Sequence, residues 1–348
     1  MVAREVKLEI QFAGCHSIAV QVSYYCRMNQ ANDGTEMGKF IAAIQASVES
    51  LPASKRARGS LVPDSAALDL AIKLFRSLAF PGFFSAQPNG ASATVEHNVE
   101  QLVRCLVPQV LAAMHVVESS TQENAAINQF GSVPAPTISL DEKAAATHAA
   151  GLVAKLVSVI PTIRALLTAD AVAAFDGDPA AQSVEEVILC YPGLQALIVH
   201  RFAHELHGFG APLVPRMLAE IAHQRTGIDI HPGATIGAGI FIDHGTGVVI
   251  GQTTVIGKRC KIYQGVTLGA KSFEQDENGR VRKNYKRHPT LEDHVTVYAG
   301  ATILGGDTVI GAGCVIAGGV FLTESVPAEH MVHGPRAQIT LRSKGDSL

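Results

Sequence analysis

The chain has 348 residues, 47% of them apolar, and a formal net charge of −3. Its length is enough for two cores, and its charge gives no electrostatic reason to bind nucleic acid or an anionic membrane, so neither is expected as a partner. Six cysteines (Cys15, Cys26, Cys105, Cys190, Cys260 and Cys314) are scattered without CxxC pairs. With no basic leader ahead of an apolar core, they read as reduced thiols in a cytoplasmic protein.

Residues 1–225 are rich in Ala and Leu and are predicted to form a helical domain, of which 1–90 is the least regular part. Val6 to Phe12 has the character of a strand. Leu68, Ile72, Phe75 and Ala79 recur at helical spacing behind Asp64, a suitable N-cap, and Pro81-Gly82 ends that helix. Val99, Leu102, Val103, Leu106 and Val110 outline a second helix, with a kink expected at Pro108. A link covers roughly 130–138, and Ser139 with Glu142 then makes a capping box. The apolar stretch His148 to Leu167 carries Lys155 and Arg164, so a buried helix is expected there and not a membrane span. One more helical stretch runs from about Gly193 to His223.

From about 226 to 325 the periodicity changes to six. Ile230, Ile236, Ile242 and Val248 keep that step, and after a two-residue shift it continues at Ile250, Ile256, Ile262 and Leu268. Leu291, Val297, Ile303, Val309, Val315 and Phe321 repeat it again. Neither a helix (3.6) nor a flat strand (2.0) gives this step; short straight segments joined by sharp corners do, so a parallel β-helix is predicted. The period vanishes over 271–287, a basic segment read as a solvated loop thrown out from one corner. Residues 326–348 carry no repeat and are expected to be a mobile tail.

A β-helix is a scaffold, so chemistry is sought where residues break its apolar-and-small rule. Three breaks stand out: Asp229-Ile230-His231-Pro232, Asp243-His244-Gly245-Thr246-Gly247 and Arg287-His288-Pro289. Three hexads make one turn, so Asp229 and Asp243 are expected on neighbouring coils facing one cleft, with His288 folding back towards it. A histidine beside carboxylates suits general-base work, because imidazole titrates near neutrality and a carboxylate stabilises its charged form.

The stretch Asp229 to Gly247 resembles the signature of bacterial and plant serine O-acetyltransferases. Gln264 to Gly269 and Arg287-His288-Pro289 follow in that family's order, and Asp178-Pro179-Ala180 with Tyr191 to Leu197 matches its helical segment. The resemblance covers about 170–335. It implies an α+β chain in which an α-helical N-terminal domain precedes a left-handed parallel β-helix; the handedness comes from the resemblance alone. It further implies direct acetyl transfer from acetyl-CoA to the L-serine hydroxyl, giving O-acetylserine for cysteine synthesis, with no metal. His244 would be the general base with Asp229 as its orienting partner. Asp178 and Asp243 would hold the substrate ammonium, Arg287 its carboxylate, and His288 would stand near the thioester. Gly269, Ala299, Gly300 and Ala317 match positions where the family's backbone approaches the coenzyme. A trimer, or a dimer of trimers, is implied. Docking of the tail into cysteine synthase is a weaker implication, since the chain ends in Leu348 where isoleucine is usual. Two other readings stay open: acylation of another hydroxyl such as homoserine's, and a zinc-dependent carbonic anhydrase using His231, His244 and His288.

Overall fold

The computed structural model describes residues 4–10, 18–24, 62–84, 91–127, 142–277, 279–283 and 285–335. The chain opens with an antiparallel pair, β1 (Arg4–Ile10) and β2 (Ile18–Tyr24). The strand read at Val6 to Phe12 overlaps β1; β2 had no clear signal. Asp64 caps α1 (Ser65–Ala79), its carboxylate accepting from Ala66 N–H at 3.0 Å. Helix α2 (Ala91–Ile127) runs through Pro108 and is far longer than its apolar repeat suggested. Helix α3 (Glu142–Gly177) begins at the glutamate of the expected capping box, while Ser139 and the 130–138 link lie outside the described residues.

Helix α4 (Val184–Cys190) escaped the sequence reading because it is short. The stretch read as one helix from Gly193 to His223 is two, α5 (Pro192–Gly208) and α6 (Val214–Thr226). Gly210 at φ 85°, Pro212 and Leu213 at φ 55° interrupt it, since no α-helix passes through left-handed backbone. Helix α3 is long and apolar enough to cross a membrane. Its inner face instead packs in the helical core through Leu152, Leu156, Ile163 and Leu167, all nearly inaccessible.

From Asp229 the chain winds as a left-handed parallel β-helix. One face stacks β3 (Asp229–Ile230), β6 (Val249–Ile250), β9 (Thr267–Gly269), β12 (Thr302–Leu304) and β15 (Phe321–Leu322). A second stacks β4 (Thr235–Ile236), β7 (Val255–Ile256), β10 (Thr290–Leu291) and β13 (Val309–Ile310). The third stacks β5 (Phe241–Asp243), β8 (Lys261–Tyr263), β11 (Thr296–Val297), β14 (Val315–Ile316) and β16 (Met331–Val332). We call these the first, second and third faces. Ile230, Ile250, Leu268 and Ile303 form one buried column inside the coil.

Two register details differ from the sequence reading. After Ile303 the interior residues are Ile310 and Ile316, whereas Phe321 is 67% exposed. The corner Gly305 to Thr308 holds an extra residue, so the interior step there is seven. The segment after Ser325 is also not a free tail throughout, because Met331–Val332 pairs with Val315–Ile316.

One ion pair locks the helices to the coil. Asp170 on α3 and Arg201 on α5 are both buried, and Arg201 Nε and Nη2 donate to the two Asp170 oxygens at 2.6 and 2.8 Å. Arg201 also donates to the carbonyls of Ile236 and Gly237, while Ile240 N–H donates to Asp170. Burial pushes the Asp170 carboxyl up, and Arg201 with the Ile240 N–H pulls it back. Removing one partner strands a buried charge. Asp170→Ala is therefore expected to cost about 3–5 kcal/mol in a denaturant titration; a loss below about 1 kcal/mol would show that the pair is not the joint.

Candidate active site

The three breaks in the hexad pattern sit at two vertices of the prism. Residues 244–248 turn the chain from the third face to the first, between β5 and β6. Residues 251–254 and 286–289 turn it from the first face to the second. Asp229 and Asp243 open and close the same coil, which corrects the expectation of neighbouring coils. The turn after Asp243 still returns beside Asp229, as Asp229 N–H donates to Val248 O at 2.9 Å and Gly247 N–H to Gly227 O at 2.8 Å.

At this vertex His244 has φ 57°, a left-handed conformation that throws its ring outward, and its side chain is 70% exposed. Non-glycine residues hold such backbone only where the surroundings fix it. Its Nδ1 lies 3.8 Å from Asp243 Oδ1, so the carboxylate in ion-pair range is that of Asp243. Asp229, expected to orient the ring, makes no ion pair with it among the described residues.

The helical domain adds a third carboxylate. Gly193, at the start of α5, sits so tightly on β5 that a Cβ would lie 2.1 Å from Ile242 O. That contact brings Tyr191 and Asp178 over the vertex. Tyr191 O–H donates to Asp178 Oδ2 at 2.5 Å and Ala180 N–H to Oδ1 at 2.8 Å. The Tyr191 hydrogen bond, then the Ala180 N–H, holds the Asp178 carboxyl below its usual range, with His244 adding a smaller attraction. The same hydrogen bond pushes the Tyr191 phenol up. One coil on, Tyr263 stands in register with Asp243 and stacks on Tyr298 at 5.0 Å between ring centroids. The three tyrosines were missed as site residues. Tyr263 was findable, because the pairing of the first two coils carries Asp243 onto it.

His288 does not fold back towards His244. Its ring is 7% exposed and lies over Gly251, where a Cβ would meet it at 2.0 Å. Thr253 N–H donates to His288 Nδ1 at 3.1 Å, which leaves the proton of the neutral ring on Nε2. Thr253 Oγ1 lies 2.9 Å from the same nitrogen and accepts from the N–H groups of Arg287 and His288. Burial, then Arg287 and Lys286, lowers His288 to about 4, so it is neutral at pH 7. Arg287 donates to Gln252 Oε1 at 2.7 Å. His231 shares this vertex: its Nδ1 accepts from Gly233 N–H at 2.9 Å. Burial first, then cations including Arg216 and Arg287, lowers it to about 4.

One vertex is thus acidic and the other cationic, and the first face lies between them. At about 3.3 Å per extended residue that face is roughly 10–15 Å wide. Gly300, Ala299 and Ala317 line the same vertex as His244, where Gly247, Gly265 and Gly300 stack at positive φ. Gly269 is on the far side of the first face, its carbonyl accepting from Gly305 N–H at 3.1 Å. His231, His244 and His288 do not converge within one chain, and the described residues hold no cluster of three metal-ligating side chains. Within the 271–287 loop Gln275 pairs antiparallel with Val281, and Arg282 donates to Glu274 at 3.0 Å.

A family model described as the hexapeptide repeat of succinyl-transferase matches residues 247–273. That match falls within the coil and agrees with its six-residue repeat. A plasmid-borne serine acetyltransferase of Synechococcus elongatus is 42% identical over 273 residues, 77% of this chain and 80% of that protein. A Synechocystis serine acetyltransferase is 52% identical over 131 residues, 38% of this chain and 49% of its own length. Among solved structures, serine acetyltransferase 1 of Entamoeba histolytica in complex with L-cysteine superposes with a TM-score of 0.62 at 31% identity, covering 86% of this chain and 100% of that one. On this similarity the chain belongs to the serine acetyltransferase family.

The Tyr191–Asp178 bond has a measurable consequence. A carboxyl held below its unfolded pKa adds stability above that unfolded value and loses it as pH falls through the folded one. Tyr191→Phe should raise the Asp178 pKa and shrink this acid dependence, read by carbon NMR of the Asp178 carboxyl. An unmoved titration would show that the phenol does not hold the charge.

Proposed function

We propose that the enzyme transfers acetyl from acetyl-CoA to the hydroxyl of L-serine at a site assembled from two protomers. The single observation that carries this reading is the split of charge between two vertices. Serine is a zwitterion, and its ammonium needs carboxylates while its carboxylate needs a cation. In one chain Asp178, Asp243 and Asp229 flank His244, but Arg287 and His288 stand a face away, beyond the reach of one serine molecule. When the first face of one copy packs on the next, the acidic vertex of one meets the cationic vertex of the other. Val249 and Phe321 expose apolar surface on that face, which suits such a contact. A closed ring of three is the simplest assembly that repeats it.

In this arrangement His244 takes the proton of the serine hydroxyl as its oxygen attacks the thioester carbonyl. Asp243, with Asp229 behind it, stabilises the imidazolium that forms. The tetrahedral oxyanion accepts a hydrogen bond from the neighbour's neutral His288 Nε2–H, and collapse expels the thiolate, which recovers the proton from His244. A positioned base supplies about 10²–10⁴-fold and one good oxyanion donor about 10²–10³-fold. Asp178, held ionised by Tyr191, takes the ammonium with Asp243, and Arg287 takes the carboxylate. The small residues Ala299, Gly300 and Ala317 leave a channel below His244 for the coenzyme arm. Gly269 of the neighbouring vertex closes the channel from the other side. Homoserine carries one more methylene and would thrust its hydroxyl beyond His244. The product suits a cytoplasmic route to cysteine, and the free buried thiols of Cys260 and Cys314 suit that compartment.

His244→Ala should lower kcat at least about 10²-fold. Arg287→Ala should mainly raise KM for serine. Because the two belong to opposite halves of each site, refolding the two variants together should restore wild-type kcat with wild-type KM at about a quarter of the sites in a random ring. No recovery on mixing would mean that one chain supplies the whole site. An acceptor panel of serine, homoserine and threonine tests the substrate, with homoserine preferred over serine as the result against it.

A further inference from the structure

The third vertex, between the second and third faces, carries a different feature. Helix α3 runs past it and leaves a groove of about 790 Å³ between helix and coil. Its floor is small and apolar. Ala165, Ala169 and Ala173 supply the helix side, Phe241 and Gly239 the coil side. A Cβ on Gly239 would come within 3.9 Å of Ala173 Cβ, so the two walls meet at the base.

Cations gather on one wall. Lys258, Arg259 and Lys261 line the groove with His294, and the acid there is Asp176. None of the three cations is in an ion pair among the described residues. Two carboxylates of the next coil, Glu292 and Asp293, accept from the backbone N–H groups of Ala312 and Lys258. Lys261 Nζ stands 3.4 Å from the Cβ position of Gly177, at the C-terminus of α3, and the helix dipole offsets part of its charge.

Backbone conformation gives a second observation. The left-handed position of this vertex recurs as Gly239, Arg259, His294, Gly313 and Glu329, at φ 74°, 54°, 62°, 70° and 61°. Glycine fills it in the first and fourth coils, and Arg259, His294 and Glu329 fill it in the second, third and last.

We propose that this groove binds a small phosphorylated molecule of about nucleotide size. Its phosphate lies against Lys258, Arg259 and Lys261, and its ring or chain lies on the alanine floor. The volume falls within the usual range of small-ligand pockets, about 300–1,000 Å³. The site is separate from the acetyl-transfer vertex and stays open when first faces pack together, because it points away from that contact.

The test is calorimetric titration of the whole protein with ADP and, separately, inorganic pyrophosphate, binding at the coenzyme cleft being the part that the groove variants leave unchanged. Both should bind, ADP the tighter, and Arg259→Gly with Lys261→Met should weaken both at least about tenfold. Acetyl transfer without added nucleotide should be unchanged in that variant. Should Lys261→Met disturb folding, Arg259→Gly with His294→Gly decides the question, because glycine already occupies this column at Gly239 and Gly313. Absence of binding at millimolar ligand, or equal affinity in wild type and variant, overturns the proposal. ADP binding no tighter than pyrophosphate overturns the role given to the floor.

Discussion

A triangular coil keeps its vertices apart, and everything chemical about this protein follows from that separation. Side chains at one vertex stack along the coil axis with their successors in later coils, yet a whole face divides them from the next vertex. Asp243, His244, Tyr263 and Tyr298 share one edge; Gln252, Thr253, Arg287 and His288 share another. The rigid ladder that positions each group also prevents the two groups from meeting within a chain. On the function proposed above, assembly is what brings opposite charges onto one zwitterion.

The helical domain supplies what the coil lacks. Hexads place only small or alternating residues at a vertex, so an additional carboxylate has to arrive from outside. The buried Asp170–Arg201 pair and the contact of Gly193 with Ile242 O clamp α3 and α5 to the first coil. The chain leaving α3 then presents Asp178 beside His244, and Tyr191, at the entry to α5, fixes its charge. A buried ion pair is weak evidence for stability as such. Here its three further backbone partners fix geometry, and that is the better account of its presence.

Much of this was legible in the sequence because the six-residue step has a single structural meaning. Ile230, Ile236 and Ile242 marked the interior of the first coil, and Asp243-His244 marked a break in it. Register was readable only as far as corner lengths stayed constant: the extra residue at Gly305 to Thr308 moved Phe321 from the expected interior to the surface. The placement of His288 was not readable, since a loop of unknown path precedes it and its partner, Thr253, lies in the preceding coil. Nor was the choice of Asp243 over Asp229 as the carboxylate nearest His244, which depends on the left-handed turn at His244 itself. Helix α2 outran its apolar repeat, and the break between α5 and α6 was masked by apolar residues on both sides of Gly210.

The most direct measurement is serine binding by calorimetry on samples diluted or mutated through dissociation of the assembly, with the association state followed by sedimentation. A site shared between protomers loses serine affinity in step with the assembled fraction. A dissociated chain that binds serine as tightly as the assembly would contradict the account.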